Sequence, residues 1–176
     1  MQETITHTEE IYKGRVVHLF VHDVRLDNGV TSRREVVQHP GAVAMVAIDD
    51  ENNVYLVRQF RLAAGRMLLE IPAGTLEPGE PPQDAAIREL QEEIGHKPGH
   101  IEPLGGLYVA PGYTTEYIHL FLATQLAPSS LVADEDEQIE VVRLPLAKAI
   151  QMIESGEIVD GKSIAGLLRV AHKLKP

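Results

Sequence analysis

The segment from Gly74 to Gly95 most restricts what this chain can become, because it reads as a helix with two dissimilar faces. Pro81 or Pro82 suits a first helical turn, where a missing N–H costs nothing, and Gly95 suits the C-terminal cap. At about 100° per residue, Glu89, Glu92 and Glu93 fall within one arc of about 100°. Ile87, Leu90 and Ile94 fall on the neighbouring arc, where they can pack against a sheet. Gathering carboxylates on one face is unfavourable by a few tenths of a kcal/mol for each i,i+4 pair. A hard divalent cation supplies a reason to do so, since Mg²⁺ takes oxygen ligands and works alongside substrate phosphates. Arg88 is the one basic side chain near the stripe. Spacing alone leaves a solvated acidic face equally open.

Around this helix the chain alternates strands and turns. Val16 to Leu26 and Ser32 to Gln38 read as strands joined at Asp27-Asn28-Gly29, and Ala42 to Ile48 and Val54 to Phe60 as a second hairpin. Further strands are expected at Met67 to Ile71, Ile101 to Ala110, Tyr117 to Ala123 and Glu140 to Leu144. Leu146 to Ser155 and Ile164 to Leu174 have the apolar spacing of helices. Strands mixed with three helices predict an α/β (mixed α+β) domain, an α/β/α sandwich around a mixed sheet.

Composition enters through charge. A formal net charge of −10, from 26 acidic and 16 basic residues, argues against binding nucleic acid through its phosphate backbone. An anionic substrate would need bound cations and a few placed arginines. The 176 residues contain no cysteine, which excludes disulfides, thiolate metal sites and a cysteine nucleophile. The polar start of the chain does not read as a targeting peptide, and no apolar run approaches bilayer length. The expectation is a cytoplasmic protein with no membrane partner.

Gly74, five residues, Glu80, seven residues, and then Arg88-Glu89-Leu90-Gln91-Glu92-Glu93-Ile94-Gly95 resemble the Nudix box. Only the last apolar position departs from that pattern; it is His96, past the cap, where a packing change is expected. The resemblance implies the Nudix fold with an N-terminal antiparallel strand extension, residues 1–38, and a hydrolase domain, residues 39–176. It also implies one to three Mg²⁺ or Mn²⁺ ions, with Glu89 and Glu93 as principal ligands, Glu92 in support and the Ala73 carbonyl as a backbone ligand. Glu80 and Arg88 correspond to the pair bracing the loop on the helix, and Gly74 and Gly95 to its structural glycines. Members of the resembling subgroup are homodimers whose N-terminal strands help to build the partner's site. The reaction implied is attack of water on a diphosphate, with clustered cations neutralising phosphate oxygens and lowering the pKa of bound water.

Flanking residues resemble the ADP-ribose pyrophosphatase subgroup. Pro111, 16 residues beyond Gly95, and Gly112 match its downstream proline segment. Val57 to Arg61 and Leu69 to Gly74 match as well, and so does Arg34 in Arg33-Arg34-Glu35, so that Arg61, Arg34 and Glu70 are expected substrate contacts; a guanidinium offers the planar fork that phosphate oxygens accept. A loop glutamate is expected to orient or deprotonate the attacking water, Glu137 first and Glu116 second. These features point to a nucleoside diphosphate sugar, ADP-ribose foremost. Glu116 to Phe121 and Gly156 to Lys162 resemble a GDP-mannose-cleaving relative equally well, which leaves that substrate open. Coenzyme A and dinucleoside polyphosphates are rivals of the same class, and a non-catalytic nucleotide-binding Nudix module is the rival of another class. Phe20 and Tyr12 are the candidates for stacking on a base, although an aromatic in a strand is more often core.

Overall fold

The wholly apolar run Ala42–Ile48 becomes β4, a strand buried on both faces. Its even residues Ala42, Ala44, Val46 and Ile48 enter one core, with Leu56, Leu120, Ala149, Leu167 and Val170. Its odd residues Val43, Met45 and Ala47 enter a second core with Val57, Ala85, Ala86, Leu90, Ile94 and Phe121. Strand periodicity of two thus forces helices onto both sides of the sheet. Helix α1 (Pro82–Glu93) covers the second face, and α2 (Leu146–Glu154) and α3 (Gly161–Lys173) cover the first. Full burial of one Leu90-sized side chain stabilises by about 1.5–3 kcal/mol.

The computed structural model describes residues 2–132 and 138–174. Contacts divide it into two units. The larger holds Ala42–Leu107 and the described residues from Ile118 onward. Its mixed sheet runs β10 (Ile139–Pro145), β5 (Asn53–Arg61), β4, β9 (Tyr117–Pro128), β8 (His96–Tyr108), with β6 (Arg66–Glu70) on β5 and β7 (Ala73–Thr75) on β4. β4 and β9 pair in parallel, from Ala42↔Ile118 to Ala47↔Ala123, and the connection between them carries α1. The hairpin expected from β4 and β5 pairs only at Ala47↔Tyr55 and Ile48↔Val54, after which β7 takes over on β4 and β6 on β5.

The smaller unit holds the described residues up to Gly41 with Tyr108–Tyr117. It is built on an antiparallel sheet of β1 (Glu3–Lys13), β2 (His18–Leu26) and β3 (Thr31–Gln38). The Asp27-Asn28-Gly29 turn closes with Gly29 N–H donating to the Leu26 carbonyl at 2.9 Å, and Gly29 holds the positive φ of 85° that favours glycine there.

Helix α1 follows its punctuation, with Pro81 at the N-cap, Pro82 opening the first turn and Gly95 at a left-handed φ of 68° just past the end. One detail of the expected apolar stripe changes. Ala86 is buried in place of Ile87, which is only half-buried, because the short alanines 85 and 86 let the helix lie close on β4. His96, the departure in the motif, opens β8; its Nδ1 lies 2.7 Å from the Ile94 carbonyl and its ring packs on Tyr55 with centroids 4.9 Å apart. Among the described residues no helix is long and apolar enough to cross a membrane.

Candidate active site

Every residue from Glu70 to Gly74 is tied to a different neighbour, and α1 brings its carboxylates to the end of that stretch. The Ala73 N–H donates to Glu93 Oε2 at 3.0 Å. Gly74 faces Glu89 so closely that a β-carbon there would sit 1.9 Å from the Glu89 carboxyl carbon, so only glycine admits that carboxylate. The Pro72 carbonyl accepts the Met45 N–H at 2.9 Å, anchoring the stretch to β4. Glu89 and Glu93 are buried although ionisable, 8% and 7% exposed, because they lie on the side of α1 that meets β7.

Arg88 organises the outer part of the stripe. Its Nε and Nη2 each donate to Glu80 at 3.0 Å in a two-pronged pair, while Nη1 donates to Glu89 and Glu92 at 2.8 Å. The hydrogen bonds from Arg88 hold the Glu80 carboxyl below the ordinary carboxylate range, and Glu80 in return heads the causes that raise the guanidinium. Glu80 Oε2 also accepts the Glu77 N–H at 3.1 Å, which closes the loop ahead of the helix. One guanidinium thus serves three carboxylates, with Glu93 buried alongside. A buried excess of negative charge is costly unless cations compensate it.

Among the described residues, no three acidic or imidazole side chains already converge as a coordination shell. The donor chemistry nevertheless suits a hard cation. All the candidates are oxygens, and Mg²⁺ binds through one or two carboxylates while keeping several waters. A carboxylate offers about four lone-pair sites, so an Arg88 contact and metal coordination at Glu89 are compatible.

A second cluster flanks the same stretch. Glu70, 1% exposed, receives Arg61 Nε at 2.9 Å and Nη2 at 2.8 Å, and also Lys162 Nζ. Burial alone would push the Glu70 carboxyl up, but hydrogen bonds from Arg61 and the charge of Lys162 outweigh it and hold the carboxyl low. Glu70 in turn raises the Arg61 guanidinium, and the nearby charges of Glu93 and Asp160 act in the same direction. Arg61, expected as a phosphate contact, therefore already has its fork engaged by Glu70 while remaining 39% exposed. Lys162, Asp160 and Ser163 were not singled out as site residues. The signal available for them was an aspartate before a helix, with a serine three residues on.

The structure brings together Ala73, Gly74, Glu80, Arg88, Glu89, Glu92 and Glu93, with Arg61 and Glu70 beside them; Gly95 ends the helix that carries the carboxylates. Arg34, Pro111, Gly112 and Glu116 belong to the smaller unit. There Arg34 is paired with Glu3, Nη2 to Oε1 at 2.6 Å. Pro111 and Gly112 lie in a turn closed by the Tyr113 N–H on the Ala110 carbonyl at 3.1 Å, and the Glu116 N–H donates to Thr114 Oγ1 at 3.2 Å. Glu137 lies outside the described residues.

The NUDIX domain model matches residues 38–167. The chain is 42% identical over 165 residues to an ADP-ribose pyrophosphatase of Bacillus subtilis (strain 168), covering 93% of this chain and 89% of that one. It is 44% identical over 178 residues to the methanol dehydrogenase activator of Bacillus methanolicus, covering 99% and 96%. A GDP-mannose pyrophosphatase of Citrobacter koseri (strain ATCC BAA-895 / CDC 4225-83 / SGSC4696) is 37% identical over 170 residues, covering 89% and 87%. A crystal structure described as an ADP compounds hydrolase superposes with a TM-score of 0.88 at 28% identity, covering 99% of this chain and 95% of that one. With Glu89, Glu92 and Glu93 seated on α1, Glu80 braced on it from the preceding loop and the family model spanning most of its length, this chain belongs to the Nudix family.

Proposed function

We propose that this protein is a pyrophosphohydrolase that cleaves the diphosphate of a nucleoside diphosphate sugar, with ADP-ribose, giving AMP and ribose 5-phosphate, as the first substrate. The observation that carries the reading is the crowding of Glu80, Glu89 and Glu92 on the single guanidinium of Arg88, with Glu93 buried against the Ala73 N–H. That excess of oxygen ligands and negative charge suits a divalent cation, Mg²⁺ or Mn²⁺, held by Glu89 and Glu93 with Glu92 and the Ala73 carbonyl in support. When bound, such ions offset phosphate charge and lower the pKa of water. The metal is what would let a chain of net charge −10 hold a diphosphate.

The protein's own groups do the rest. Arg61, braced by Glu70 and 39% exposed, is our first phosphate contact. Arg34 is our second phosphate contact, and Glu137 or Glu116 the base that aligns the water. The substrate reading is supported by the ADP-ribose pyrophosphatase at 42% identity, and the GDP-mannose alternative by the relative at 37%. A cytoplasmic location and a homodimer complete the proposal. The homodimer is supported by β1, exposed along its whole length although it carries Ile5, Ile11 and Tyr12; light scattering at micromolar concentration tests it.

Product analysis with Mg²⁺ and ADP-ribose tests the function. AMP plus ribose 5-phosphate is expected, with slower turnover of GDP-mannose, coenzyme A and dinucleoside polyphosphates. Binding of ADP-ribose without any cleavage would replace the enzyme by a nucleotide-binding module. The 44% identity with the methanol dehydrogenase activator favours one second reading, stimulation of a dehydrogenase partner. Under that reading the protein raises methanol dehydrogenase turnover when the two are mixed.

A further inference from the structure

We infer that Ser163 is a positioning residue that acts from α3, through the backbone, on the segment carrying Ala73 and Gly74. Ser163 is fully buried. Its hydroxyl accepts the Ile71 N–H at 2.8 Å and donates its own proton to Asp160 Oδ2. Asp160 is the N-cap of α3, its Oδ2 also accepting the Ser163 N–H at 2.9 Å, and it lies 3.1 Å from Lys162 Nζ. The hydroxyl therefore has both its donor and an acceptor site used, with direction set by a carboxylate. Its backbone partner is Ile71, the residue between Glu70 and Pro72.

The approach is close. A β-carbon at Gly166, three residues along α3, would lie 3.0 Å from Ile71 Cδ1 and 3.0 Å from Val46 Cγ2. Small residues at 163 and 166 let the start of α3 lie against Ile71, so the contact is built in by helix packing and does not depend on a mobile surface side chain. Two residues further on, the Ala73 N–H meets Glu93 and Gly74 abuts Glu89. Residue 72 between them is proline, whose ring fixes φ, so few soft torsions remain in which a shift at residue 71 can be absorbed before residue 73. Without the Ser163 hydroxyl the Ile71 N–H loses its acceptor inside the core, and the stretch gains a reason to rotate toward another partner.

The inference rests on the proposed role of Glu89 and Glu93, so its test has one readout that involves no metal and one that does. Hydrogen exchange at the Ala73 amide, which Ser163 does not touch, is measured in the full-length protein. Mn²⁺ binding is measured by calorimetry without substrate. The variants are Ser163→Ala, Asp160→Asn and, as a control for lost stability, Val170→Ala in the same helix. Ser163→Ala is expected to speed Ala73 exchange about tenfold and weaken Mn²⁺ binding about tenfold, the low end of what a supporting group contributes to a metal site. Asp160→Asn, which keeps the Ser163 hydroxyl but weakens its orienting acceptor, moves both in the same direction by less. Val170→Ala lowers the melting temperature and moves neither. If Ser163→Ala alters only the melting temperature, as Val170→Ala does, Ser163 is merely structural and the inference falls. If the wild-type protein binds no Mn²⁺ and cleaves no nucleotide sugar, the proposed function falls, and Ala73 exchange alone decides for or against Ser163.

Discussion

Gly74→Ala places one methyl group where the Glu89 carboxylate lies. The new carbon would meet the carboxyl carbon and Oε1 at 1.9 Å and Oε2 at 2.3 Å, against ordinary contact from 3.4 Å. Relief at the closest atoms requires a shift of about 1.5 Å, the difference between 3.4 and 1.9 Å. The glycine φ is not in the left-handed region, so the backbone tolerates alanine and the carboxylate is what must give way. Glu89 is 8% exposed and bonded to Arg88 at 2.8 Å, so it has little room to retreat without breaking that contact. Misplacement by about 1 Å at a reacting centre can cost about 10²-fold, equivalent to about 2.7 kcal/mol. The expected outcome is a loss of about 10²-fold in kcat/KM for ADP-ribose at saturating Mg²⁺. Overpacking should cost about 1–3 kcal/mol of stability and leave the protein folded. Activity is followed by AMP release and folding by thermal denaturation. If Gly74→Ala retains activity within about threefold of wild type at every Mg²⁺ concentration, the position of the Glu89 carboxylate does not matter to the reaction.

Glu70→Gln removes the carboxylate that Arg61 and Lys162 share and should cost about 3 kcal/mol in urea denaturation, less than for a fully enclosed pair because Arg61 reaches solvent. The folded-state pKa of Glu70 lies below its ordinary 4.5, so the stabilisation is complete above that value and is lost as pH falls through the depressed one. Melting temperatures between pH 6 and pH 3 should therefore fall less steeply in Glu70→Gln than in wild type. Glu80→Gln removes the negative charge that Arg88 meets on its loop side and should lower stability by about 1–3 kcal/mol. Glu77→Gln, an exposed change whose backbone alone bonds to Glu80, should stay within about 0.5 kcal/mol and leave kcat unaltered; an equal effect of the two substitutions would remove the bracing role from Glu80.

Local features made most of the site readable. Gly74 through Gly95 is one continuous stretch, so the carboxylate arc, the proline start and the glycine stop could all be taken from helical spacing. The same spacing misjudged Ile87, because it records which residues share a face and not how closely alanines let the helix approach the sheet. Strand β1 left almost no trace. Glu-Thr-Ile-Thr-His-Thr-Glu-Glu is exposed along its whole length, and a strand paired with β2 but without a buried face has no apolar alternation to read. The cluster of Lys162, Asp160 and Ser163 was hidden for a different reason. Ser163 meets Ile71, and Lys162 meets Glu70, across 92 residues of sequence, and no periodicity connects points so far apart. Arg61 is expected from the sequence to contact phosphate, but its engagement by Glu70 is not legible there, since two charges nine residues apart meet only because β5 and β6 form a hairpin.

The central claim is that the carboxylates of Glu89 and Glu93 hold a divalent cation beside the scissile diphosphate. The most direct measurement is kcat for ADP-ribose in Glu89→Gln and Glu93→Gln at saturating Mg²⁺, with melting temperature recorded alongside. A fall of about 10²–10⁴-fold is expected in either variant with the fold retained. Near-normal kcat in either one would show that its carboxylate does not hold the catalytic cation.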